Sequence, residues 1–86
     1  MENIAKQDRI LSFVEVRVAL ALLGKPQKWV EEISGRCHAT VSRFMRGRDV
    51  WPDCRADISR AVIEQLRAAG HWDDAAGIIA PQGLAS

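Results

Sequence analysis

Apolar residues recur at helical spacing through the first quarter of the chain. Ile4, Leu11, Val14, Val18, Ala21 and Leu22 mark one stripe, and Ile10, Phe13, Leu20 and Leu23 widen it. This pattern predicts a helix of about 20 residues, roughly 30 Å long. Its apolar face is too broad for one small neighbour, which points to burial in an oligomer. Gly24-Lys25-Pro26 ends it, because proline disfavours helix at the preceding residue and suits the first turn of the next. A short helix is expected from Pro26 or Gln27 to Ser34, with Trp29, Val30 and Ile33 apolar and Gly35 in the following turn. A second short helix is expected from His38 to Met45 or Arg46. Val41, Phe44 and Met45 face inward on it, and Gly47 closes it. After a connector at 48–52, Asp53 reads as the N-cap of a longer helix carrying Cys54, Ile58, Ala61, Val62, Leu66 and Ala69 on one face, with Gly70 at its end. A last short helix is expected from Asp73, carrying Ala75, Ala76, Ile78 and Ile79 and stopped by Pro81, with a flexible tail at 82–86. No alternating run, hairpin dipeptide or internal repeat stands out. The expected fold is all-α, about five helices in one domain over 1–81, with a central helix-turn-helix.

Composition narrows the class. Eighty-six residues with 48% hydrophobic and 27% charged side chains suit one small globular core and not a disordered chain. Cys37 and Cys54 stand 17 positions apart with no Cys-x-x-Cys, so neither a disulfide framework nor a metal site is expected. Val18–Gly24, the longest uncharged stretch of the first half, is too short to cross a bilayer, and no secretory apolar run opens the chain. A cytoplasmic location in a bacterium is the expectation. No residue set orients a base toward a nucleophile, so neither enzymatic activity nor a cofactor is expected.

Charge changes the picture in the middle. Residues 24–60 hold eight bases and five acids, a net of +3, and residues 61–86 hold one base and three acids, a net of −2. Arg36 to Arg48 contains four arginines and no acid. A local basic field is what a polyphosphate partner requires. This segment also spans two short helices joined by a glycine turn, the helix-turn-helix unit. In that unit the first helix holds the second out from the body, and the second enters the major groove, where each base pair shows a distinct donor and acceptor pattern.

The run Gly35-Arg36-Cys37-His38-Ala39-Thr40-Val41-Ser42-Arg43 resembles the turn and recognition helix of the tryptophan repressor family, which has Gly-x-x-x-Ala-Thr-Ile-Thr-Arg at the same spacing. Thr40-Val41-Ser42-Arg43 is also similar to the recognition-helix core of lac-repressor-type proteins. Gln27-Lys28 matches a Gln-Arg pair that opens the preceding helix in the tryptophan repressor, and Pro52 with the helix after it continues the likeness. The layout is similar to that of small repressors carried on plasmids and phages. The chain departs from the common pattern at Glu31, where many units have a small residue, and at Arg36, where many have an apolar one. Arg43 matches one effector-gripping arginine of the tryptophan repressor, but Phe13 falls near the place of its partner, so no amino-acid effector is implied.

The resemblance implies that Ala39, Thr40 and Arg43 meet base edges or adjacent phosphates, and His38 opens the same helix within reach of a base. Ser42 is expected on the DNA backbone. Gln27 and Lys28, at a helix N-terminus, are placed to clamp phosphate, and Arg36, Arg46 and Arg48 extend the clamp. Dimerisation is expected through the N-terminal helix (Leu11, Val14, Val18) and the Asp53–Ala69 helix (Ile58, Val62, Leu66), since two recognition helices about 34 Å apart read a palindrome. Trp51 and Trp72 are expected in the core or in that dimer contact. The expected function is a homodimeric DNA-binding transcriptional repressor. The alternative is a helix-turn-helix interaction module, an antitoxin or adaptor, without direct sequence readout.

Overall fold

The structure is a computed structural model and describes residues 9–79; Ile4, Pro81 and the tail at 82–86 lie outside the described residues. Within that range the chain forms four helices, α1 (Phe13–Leu23), α2 (Gln27–Ser34), α3 (His38–Met45) and α4 (Pro52–Ala69), followed by two short strands, β1 (Trp72–Asp73) and β2 (Gly77–Ile78).

α1 begins later than its apolar stripe suggests, and the reason is local. The Ser12 hydroxyl accepts from the Glu15 amide at 3.1 Å, and the Glu15 carboxylate accepts from the Ser12 amide at 2.8 Å. This capping box satisfies two end amides and fixes the first turn. Leu11 therefore lies on extended chain, yet it is only 1% exposed. Its amide donates to Ser59 Oγ of α4 at 2.9 Å, which ties the segment ahead of α1 to the longest helix. The buried face of α1 is Val16, Ala19 and Leu20, whereas Val14 and Val18 point outward.

α2 and α3 run as their flanking residues dictate. Gly35 ends α2 at φ 72°, a left-handed conformation that other residues adopt at a cost. Gly47 follows α3 at φ 78°, and a Cβ there would meet the Phe13 ring at 3.0 Å. α4 starts one residue before its expected cap. Trp51 is the N-cap residue without a side-chain bond, Pro52 occupies the first turn, and Asp53 contributes its charge within that turn.

The expected fifth helix is absent from the described residues; a hairpin takes its place. β1 pairs antiparallel with β2, Trp72 opposite Ile78 and Asp73 opposite Gly77. The Asp73 carboxylate accepts from the amides of Ala75 and Ala76 at 3.0 and 2.7 Å, so it caps a turn instead of a helix. The fold is mainly helical.

One core joins all four helices. It contains Leu11, Val16, Ala19 and Leu20 from the N-terminal part, Val30 from α2, Val41, Phe44 and Met45 from α3, and Ile58, Val62, Ile63 and Leu66 from α4. Apart from the single methyl of Ala19, each such side chain contributes roughly 1.5–3 kcal/mol through burial. No described helix is long and apolar enough to cross a membrane.

Candidate nucleic-acid interface

α3 presents two different sides. Val41, Phe44 and Met45 are buried and anchor it, while His38, Ala39, Arg43 and Arg46 are exposed and Thr40 and Ser42 are half-exposed. The helix is thus held by one side and offers the other to solvent.

At its start, the His38 ring is 77% exposed, with Nδ1 2.7 Å from Glu31 Oε2 of α2. With Nδ1–H donated to that carboxylate, the outward Nε2 is an acceptor in the neutral ring and a donor in the charged one. Glu31, a departure from the common pattern, thereby orients His38. Gln27, Lys28, Glu31 and His38 together line a shallow depression of about 360 Å³. The structure thus brings two expected phosphate contacts beside the first expected base contact.

Cys37, the N-cap residue of α3, is exposed, and the expectations above give it no role. Its Sγ lies 3.3 Å from Thr40 Oγ1. That hydrogen bond, aided by the Thr40 and Ala39 amides, pulls the thiol pKa below its ordinary value. The preceding-turn position was the signal available in the sequence.

Farther along, the Arg43 guanidinium donates to the Asp49 main-chain carbonyl at 3.2 Å. Among the described residues, no side-chain carboxylate pairs with Lys28, Arg43, Arg46 or Arg48. Thr40, Arg43, Asp49, Val50, Trp51 and Pro52 enclose a groove of about 480 Å³. Arg48 lines a separate groove of about 320 Å³ with the half-buried Arg55, whose buried Nε has no hydrogen-bond partner among the described residues.

Arg36, expected on the DNA backbone, is paired within the chain. Its Nε donates to Asp57 Oδ2 of α4 at 3.0 Å, and its terminal nitrogen donates to the same oxygen. Asp57 also pairs with Arg60 at 3.4 Å. The bond to Asp57 raises the guanidinium pKa. Arg36 is a strut between the turn and α4, because the half-buried carboxylate on α4 requires a cation and the turn delivers one.

The expected dimer residues divide sharply. Leu11, Ile58, Val62 and Leu66 are consumed inside this chain's own core and offer no surface to a second copy. The helix that carries the last three is central, covered by α1, α2 and α3, so its apolar face is already filled. Val14 and Val18 are 53% and 44% exposed. They form an apolar groove of about 370 Å³ with Leu22, Ala76 and Ile78, edged by Glu15. Trp51, expected in the core or a dimer contact, is 79% exposed and is no part of the core; Trp29 and Trp72 are half-buried.

Among the described residues, no three of His, Cys, Asp or Glu gather as a metal site. The chain matches no family model, no curated protein and no solved structure.

Proposed function

We propose that the protein is a sequence-specific DNA-binding repressor that grips a palindromic operator as a homodimer. The observation that carries this reading is α3 itself: anchored by Val41, Phe44 and Met45, it exposes His38, Ala39, Arg43 and Arg46 on its free side. Ala39 and Thr40 are small enough for backbone to approach base edges, and Arg43 suits guanine O6 and N7. Lys28, Arg46 and Arg48 supply phosphate contacts. The outward face of α1, with Val14 and Val18, joins two copies, and the bound pair excludes polymerase from the promoter.

Selection of bound duplexes from a random DNA pool tests this directly. A palindrome with half-sites one helical turn apart is the expected product. Gel-shift affinity should fall with salt. Three phosphate-contacting cations per copy, Lys28, Arg46 and Arg48, set a limiting slope of about −5 in log K against log salt for a dimer. Arg43→Ala should lose sequence preference, whereas Arg36→Ala should lower thermal stability and spare duplex affinity. Binding of no duplex at low salt overturns the reading.

A protein-interaction module is the second reading, favoured by the apolar groove of Val14, Val18, Leu22 and Ile78. It calls for a stable protein complex and no salt-sensitive duplex binding.

A further inference from the structure

Trp51 is the most exposed large hydrophobic side chain among the described residues. Its position is built, not incidental. It is the N-cap of α4 at φ −59° and ψ 144°, and Pro52 holds the residue before it in extended geometry. Trp51 is therefore anchored by its backbone where α3 gives way to α4. There it lines one groove with Thr40 and Arg43, two residues of the free side of α3, and with Val50 and Pro52.

We infer that this groove seats the sugar edge of the strand beside the major groove, with the Trp51 indole packed on a deoxyribose ring while Arg43, at the same groove, reaches the base edge. The inference rests on the DNA-binding reading and adds a contact to it. The chemistry of the lining selects this occupant. Val50, Pro52 and the indole supply the apolar lining of the groove, and a deoxyribose is an apolar part of a DNA strand. Arg43 lines the same groove as a cation that no side-chain carboxylate pairs among the described residues, so the groove favours a polyanionic strand. The groove is continuous with α3, so a strand seated in it lies against the helix that reads the bases. A sugar contact is blind to sequence, so Trp51 contributes affinity and register, and Thr40 and Arg43 contribute preference.

The test uses the full chain and the duplex recovered from the random pool, beside an unrelated duplex of equal length. Trp51→Ala should weaken both by a similar factor, about tenfold or more, with sequence preference retained. Trp51→Phe should recover most of the loss. Duplex should also shield the wild-type protein's fluorescence from acrylamide, and Trp51→Phe should abolish that shielding, since it leaves only the half-buried Trp29 and Trp72. If Trp51→Ala perturbs folding by circular dichroism, the shielding measurement decides alone. Unchanged affinity in a folded Trp51→Ala variant, or unchanged quenching on duplex, overturns the inference while the DNA reading stands. So does a change in oligomeric mass in place of affinity, which would assign the indole to a protein contact. Failure of the wild-type chain to bind any duplex overturns both.

Discussion

Ser59→Ala removes the acceptor that holds the Leu11 amide, and both residues are 1% exposed. Water cannot replace the hydroxyl at such a site, so the N–H is left buried and unpaired. That penalty is about 1–3 kcal/mol. Alanine is the better helix former within α4 by about 0.5 kcal/mol, which offsets part of the loss. The net cost is about 1.5 kcal/mol, a large share of the roughly 4–13 kcal/mol available to a chain of this length. For a domain of this size the melting temperature should fall by about 6–12 °C. Thermal melts followed by circular dichroism, with urea titrations beside them, measure the change. The loss should come without a change in urea m-value, because only an anchor is lost and not a unit of structure. A variant that melts within about 2 °C of wild type would refute the claim that this bond anchors the segment ahead of α1.

Other outcomes follow from the same geometry. Gly47→Ala should cost about 2–4 kcal/mol in urea unfolding, since a left-handed φ combines with a 3.0 Å approach to Phe13. Gly35→Ala, with open space around its Cβ, should cost only about 1–2 kcal/mol. Cys37 should alkylate with a pH midpoint below that of a free thiol, because its thiolate is stabilised by the Thr40 hydroxyl. Thr40→Val should move that midpoint upward, and buried Cys54 should stay unlabelled until the chain unfolds. Val18→Asp should leave helix content intact, since the site is exposed, and convert the sedimenting species from dimer to monomer. Retention of the dimer mass would remove the outward face of α1 as the joining surface.

Local punctuation made the centre of the fold readable. Pro26 and Gly35 bracket α2, and α3 runs from His38 to Met45 ahead of the Gly47 turn, within a residue of expectation. α1 was harder because it is apolar nearly all round, so its periodicity carries no phase. Ser12-x-x-Glu15 held the missing information: the capping box sets where the helix starts, and that start turns Val16 inward and Val14 and Val18 outward. The C-terminal hairpin shows a different limit. An aspartate that accepts from amides two and three positions ahead serves a helix start and a tight turn equally, so Asp73 did not decide between them. Arg36 and Asp57 are 21 positions apart, and only the packed chain reveals that they pair. The exposure of Trp51 was equally hidden, because an apolar residue at a helix entrance reads as core until its neighbours are known.

One bond links the two ends of the proposed machine. Arg17 of α1 donates to the Met45 carbonyl at 2.9 Å, where the peptide dipoles of α3 leave partial negative charge, and its guanidinium also lies over the Phe13 ring. The tail of the probe is thus latched to α1, the helix on which Val14 and Val18 are exposed. A protomer gripped at α1 would carry its probe as a lever carries its tip. The distance between paired probes would then be a property of that latch, and loosening it would blur operator spacing without touching a single base contact.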